Sequence, residues 1–349
     1  MAAESYEDDF EDYDDDFEDE SPPPSITKPA QPPPPWDPDD DVPSPVAPSA
    51  PWALITLEEI DFGEKLAAGA MGAIHAGVYR GRDVAVKTLH GPSKNDLAAV
   101  EAELLMHASL THPRVVELCG ANLVPPGCCI VMERCECSLF DRLHRRNEPV
   151  GRRQSMEIGL QVADGMQFLH SRRPPIVHRD LKSHNVLLDG RGQAKLCDFG
   201  LVNTREVTAG TPNYMAPELF EAKPFSTSVD VFAFGVLLNE LWAREVPWDG
   251  YTPFEIRGKV TAGERPPTPR TMPYALEALL KKLWHATPSN RPTFAEAIPS
   301  LEAVMETLPS DGMMGGGGGR AVGGGGIGGM DALDALDSLA GLSVAPRRR

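Results

Sequence analysis

The run His178-Arg179-Asp180-Leu181-Lys182-Ser183-His184-Asn185, followed by Asp198-Phe199-Gly200 and then Ala216-Pro217-Glu218, constrains this 349-residue chain more than any other feature. The first run fixes five positions of the pattern HRDxKxxN, which an unrelated chain of this length would match by accident with odds of roughly one in ten thousand. The surrounding pattern is also informative. Upstream, short β-type segments at residues 60–66, 73–80 and 83–89 are separated by Gly-containing turns and predict an antiparallel sheet. A helical pattern follows over 94–109, then two short apolar runs at 115–119 and 129–132. Beyond these, Ile158, Val162, Met166 and Leu169 mark one buried face of a helix over 154–170. Residues 229–241 are apolar nearly all round, which predicts a helix enclosed by others. The expected fold is α+β and bilobal, with a small β-rich lobe carrying one main helix and a larger, mainly helical lobe.

Composition separates this core from its flanks. The formal charge is −18, but residues 1–50 carry sixteen acids and one base, a net of −15, leaving 32 − 35 = −3 for the other 299 residues. Acidity therefore argues only mildly against a nucleic-acid partner, and none is expected. Twelve acids between Glu4 and Glu20, then thirteen prolines between Pro22 and Pro51, cannot bury enough apolar surface to offset chain entropy. Residues 1–51 are thus expected to be a disordered tail. Within it Tyr6, Phe10, Tyr13 and Phe17 have the spacing of one helix face, which a partner groove could induce. At the other end, residues 309–349 read as a flexible Gly-rich tail. They include a short acidic amphipathic segment in which Leu333, Leu336 and Leu339 alternate with Asp331, Asp334 and Asp337, a second candidate for docking a partner. That leaves residues 52–308 as one folded domain, with lobes at about 54–133 and 136–308. Six cysteines without scaffold or paired CxxC spacing read as reduced, mostly buried thiols. With no basic-then-apolar start and no run of 18 apolar residues, the expectation is a soluble, cytoplasmic protein with no membrane contact.

In their order, these motifs resemble the eukaryotic protein kinase family over about residues 54–308. The resemblance implies ATP, Mg²⁺ and a protein substrate, and a chemistry that needs neutralised phosphate oxygens, an in-line hydroxyl and exclusion of water. On the family pattern Asp198 and Asn185 hold metal ions, both being hard oxygen ligands. Asp180 orients the substrate hydroxyl and accepts its proton, and Lys182 steadies the γ-phosphate. In Val84-Ala85-Val86-Lys87, Lys87 grips the α- and β-phosphates. Family spacing from His112-Pro113 selects Glu103 as its partner, with Glu101 as the rival on a different helical face.

The glycine-rich loop, Ala67-Ala68-Gly69-Ala70-Met71-Gly72-Ala73-Ile74, keeps Gly69 and Gly72 of the pattern but has alanine at its first glycine. The same alignment assigns the adenine pocket to Leu66, Ile74 and Ala85 above, Leu187 below, and a hinge of Glu133 to Cys135, with Met132 as gatekeeper. Glu218 pairs with Arg291 and Asp230 braces the backbone near His178 on this reading, both as structural supports.

Lys182 and Gly210-Thr211 resemble a serine/threonine enzyme, and HRDLKSHNVLLD with DVFAFGVLLNELW is similar to the tyrosine-kinase-like group that includes Raf and mixed-lineage kinases. Dual specificity occurs among such relatives. Arg179 beside Asp180 is the arrangement in which an activation-loop phosphate orders the segment, and Thr204 and Thr208 are the candidate acceptors. The loop holds only fifteen residues between Gly200 and Ala216, short for the family. The competing reading is a pseudokinase scaffold that binds partners through its tails. Loss of Lys87, Asp180 or Asp198 would be its usual signature, and all three are present.

Overall fold

The computed structural model describes residues 50–69, 72–146, 148, 150–202 and 209–309. It opens with an antiparallel meander of β1 (Ile60–Gly69), β2 (Gly72–Tyr79) and β3 (Arg82–Leu89). The β2–β3 hairpin closes on two residues, Arg80 (φ 50°) and Gly81 (φ 76°), the left-handed pair that matches the strand twist. Two further strands, β4 (Leu118–Asn122) and β5 (Cys129–Glu133), complete a sheet of order β1-β2-β3-β5-β4. Period-two alternation decides what each face carries. Val84, Val86, Cys129 and Val131 point into one small core with Ile55 and Ile60. Ala85, between the two valines, lines a cavity on the opposite side.

Helix α1 (Lys94–His107) starts at a reciprocal cap: Ser93 Oγ accepts from Asp96 N–H at 3.2 Å and Asp96 Oδ2 accepts from Ser93 N–H at 2.9 Å. It buries Val100, Leu104 and His107, and the first two join Leu89, Ala121 and Ile130 of the sheet in a second core. The apolar run at 115–119 enters the sheet only at Leu118, where β4 begins. Val116 N–H instead donates to Leu196 O (2.9 Å) and Leu196 N–H to Arg114 O (2.8 Å), so this stretch ties the small lobe to the large one. Apolar content alone did not distinguish a strand from a single bridge.

The large lobe is organised on α2 (Arg152–His170) and α4 (Ser228–Ala243), with α3 (Pro217–Phe220), α5 (Pro253–Thr261), α6 (Tyr274–Leu283) and α7 (Phe294–Glu306) around them. Every residue from Val229 to Trp242 is buried, as an all-round apolar helix requires. Each large aliphatic or aromatic side chain removed from water there contributes about 1.5–3 kcal/mol. A small sheet of β6 (Cys137–Ser138), β7 (Val186–Leu188) and β8 (Ala194–Leu196) lies where the lobes meet, and β7 continues directly from Asn185. All six cysteines are free; Cys128, Cys129 and Cys197 are buried and the other three half-buried. No described helix is long and apolar enough to cross a membrane.

Candidate active site

The loop from His178 to Asn185 is held from below by a carboxylate. Asp230, near the start of α4, is fully buried and accepts from the backbone N–H groups of His178 and Arg179, each at 2.8 Å. His170 Nε2 completes the set at 2.8 Å. Such a buried charge is stable only because its lone pairs are filled. The bonds fix a tight backbone in which Arg179 has φ 68°.

This turn presents Asp180 to the cleft. Its Oδ1 accepts from Thr211 Oγ1 (2.7 Å) and from Thr211 N–H (3.0 Å), and its Oδ2 lies 2.8 Å from Lys182 Nζ. Lys182 Nζ also donates to Thr211 Oγ1 at 2.7 Å. Asn185 Nδ2 donates to Asp180 Oδ2 and to Asp180 O, at 3.0 and 2.8 Å. Three side chains, those of Thr211, Lys182 and Asn185, thus hold one carboxylate in place. Thr211 binds the strand of chain after the undescribed residues 203–208 to this triangle. Thr204 and Thr208 lie outside the described residues.

Asn185 and Asp198 are joined through paired backbone, because Cys197 N–H donates to Asn185 O at 3.1 Å. Burial, followed by the charges of Glu103 and Asp180, pushes the Asp198 carboxyl up to about 7, against the opposing pull of Lys87 and Lys182. Lys87, Glu103, Asp180 and Lys182 therefore all act electrostatically on Asp198. Glu103 is half-buried whereas Glu101 is exposed. Asn185 Oδ1 is buried with no hydrogen-bond partner among the described residues. The unpartnered Asn185 amide oxygen and, in its ionised form, the Asp198 carboxylate are hard oxygen donors of the kind that suit a divalent cation.

The adjoining cavity has a volume of about 310 Å³, of the size that small ligands occupy. Leu66, Ile74, Ala85, Met132, Glu133, Cys135 and Leu187 all line it. Gly69 and Gly72 end β1 and begin β2 on either side of the undescribed residues 70 and 71. At Gly72 a Cβ would fall 1.8 Å from Thr88 O, so only glycine fits. Burial pushes the Cys135 thiol up to about 12, so it stays protonated.

Sequence reasoning missed three groups. Glu240 of α4, fully buried, accepts from Ser183 Oγ (2.7 Å), Tyr214 OH (2.8 Å) and His144 Nε2 (2.9 Å), coupling the catalytic loop to the segment before Ala216. His107, one turn after Glu103, packs its ring 5.1 Å from Phe199, which lies 5.5 Å from His178 on its other contact. Ser138 and Asp141 line the outer cavity with Arg145, Arg146 and His184. No local pattern marks Glu240; its place on an all-apolar helix was the one available signal. Further out, Arg291 donates to both oxygens of Glu218, at 2.6 and 2.9 Å.

Residues 60–301 match the family described as protein tyrosine and serine/threonine kinase. The chain belongs to that family. It is similar to the probable serine/threonine-protein kinase SIS8 of Arabidopsis thaliana, 35% identical over 265 residues that make up 73% of this chain and 26% of the relative. Similarity to the serine/threonine-protein kinase CTR1 of Arabidopsis thaliana is 34%, covering 74% and 32%. A probable serine/threonine-protein kinase of Dictyostelium discoideum is 34% identical over 72% of this chain and 28% of its own length. The chain thus spans about a quarter to a third of these relatives.

Proposed function

We propose that this chain is a serine/threonine kinase of the tyrosine-kinase-like group, transferring the γ-phosphate of ATP to a hydroxyl of a protein substrate. The observation that carries this reading is the triangle of Asp180, Lys182 and Thr211. It holds a carboxylate oxygen ready to accept a hydroxyl proton, with a cation beside it for the phosphate being transferred. Asp180 orients the incoming hydroxyl and takes its proton as the oxygen bonds to the γ-phosphorus and the bond to ADP breaks. Lys182 stays on the γ-phosphate side, and Lys87, held with Glu103, fixes the α- and β-phosphates. Adenine fits between Leu66, Ile74 and Ala85 on one side and Leu187 on the other, with the hinge at Glu133 to Cys135 and Met132 behind. Asn185 Oδ1 and the Asp198 carboxylate would hold Mg²⁺, which when bound neutralises charge on the phosphate oxygens.

Regulation is proposed to run through phosphorylation of Thr204 or Thr208, with Arg179 as the group that receives the phosphate. A kinase domain over residues 52–308, with tails that dock partners and a cytoplasmic location, completes the reading. Incorporation of labelled phosphate into a generic basic protein tests it. The wild type should label the protein and Asp198→Asn should not; equal labelling by both would refute catalysis by this chain. For the regulatory step, an unphosphorylated enzyme that is fully active, and unchanged by Thr204→Ala with Thr208→Ala, would refute the switch.

A further inference from the structure

A second cavity, of about 400 Å³, opens at the C-terminal end of α2, away from the nucleotide pocket. Its apolar wall comes from Met106 at the end of α1, Ile176, Val202 and Phe225. Arg172 and Arg173 stand at its exposed rim. Arg172 lies over the Phe168 ring at 5.4 Å, and neither arginine forms an ion pair among the described residues. An apolar cavity with two unneutralised guanidinium groups at its edge selects an occupant with apolar side chains flanked by carboxylates.

The acidic leucine segment that follows α7 has this chemistry and lies at a suitable distance. Residues 331–339 place Leu333, Leu336 and Leu339 among Asp331, Asp334 and Asp337; they lie outside the described residues. Helices α2 and α7 run antiparallel: Arg153 Nη1 donates to Met305 O at one end (3.3 Å), and the His170 and Phe294 rings meet at the other (5.2 Å). The last turn of α7 is therefore about one α2 length from the cavity, and 19 residues at 1.5 Å each give about 28 Å. Residues 310–330, with twelve glycines among twenty-one, connect α7 to the segment. A Gly-rich coil of this length has an r.m.s. span of about 25 Å. Effective concentration is greatest when linker span and site separation match, reaching about millimolar, so even weak contacts suffice in cis.

We propose that the cavity rimmed by Arg172 and Arg173 is the docking site of the chain's own acidic leucine segment, residues 331–339. Docking joins the end of α1 to Val202, two residues beyond Gly200, and so sets a tail against elements that position Glu103 and Asp198. The proposal does not depend on the chain being catalytically active.

The test uses the full chain carrying the photo-cross-linker p-benzoylphenylalanine in place of Leu336, irradiated at two protein concentrations about tenfold apart. Cross-links within one molecule to the peptide containing Arg172 to Val177, or to Val202 or Phe225, at a yield independent of concentration, are expected. Reversing Arg172 and Arg173 to Glu should lower that yield at least about fivefold, and adding Asp334→Arg and Asp337→Arg should restore it. Cross-links scattered over the surface, links between copies whose yield rises with concentration, or a yield insensitive to the arginine reversal would overturn the proposal.

Discussion

At the residue scale, the site depends on two carboxylates in different surroundings. Asp180 accepts from Thr211 and Asn185 and faces Lys182, whereas Asp198 is buried among acids and pushed up to about 7. Replacing Asp180 with Asn keeps its shape and removes its basicity. The turnover number should fall about 10²- to 10⁴-fold with little change in the Michaelis constant for ATP, as initial rates at saturating protein substrate will measure.

For Asp198 the prediction concerns pH. Its carboxyl is protonated below about pH 7, and a metal ion requires the ionised form. Apparent Mg²⁺ affinity should therefore drop about tenfold for each pH unit below 7 and level off above it, a profile that titration calorimetry with nucleotide and Mg²⁺ can follow. Asn185→Ala should weaken binding without moving the inflection, since the amide does not titrate. Asp180, Asn185, Asp198 and Lys182 were singled out by motif order, and the roles proposed for them come from the family resemblance those motifs carry. Thr211's bond to Asp180 and Glu240's three donors were not legible in the sequence, because each partner is brought from 26 or more residues away.

At the element scale, α4 is the platform. Asp230 at its start fixes the catalytic loop and Glu240 near its end fixes both Ser183 and Tyr214, so one rigid helix sets two sides of the site. The Glu218–Arg291 pair pins α3 to the turn before α7, with Arg291 Nη1 also donating to Ser228 O at 3.0 Å. Arg291→Ala leaves Glu218 charged and buried without its partner, and should cost about 3–5 kcal/mol. In a domain of this size that lowers the melting midpoint by roughly 6–20 °C, as calorimetry of the variant will show. A much smaller cost applies at the start of α1, where Ser93→Ala removes a cap and should destabilise by about 1 kcal/mol, read from denaturant unfolding.

At the scale of the whole molecule, charge is segregated. The folded region is nearly neutral, and the first fifty residues hold net −15. Deleting residues 1–49 should slow phosphorylation of a basic protein at low ionic strength. The difference from the full chain should vanish near 1 M salt, where the screening length is about 3 Å. Kinetics of both forms across a salt series will show it.

The bilobal architecture and the buried character of α4 were readable from alternation and helical periodicity, because these are local consequences of which side chains must leave water; the residues expected around adenine came from the family resemblance, and they line one cavity. What only the tertiary structure decided were contacts whose partners share no local pattern. These are the Asp180–Thr211–Lys182 triangle, the Glu240 hub, the bridge between Val115 and Leu196, and the arginine-rimmed cavity one α2 length from the end of α7. A linear pattern records which face of an element is buried, and the long-range fold chooses what that face meets.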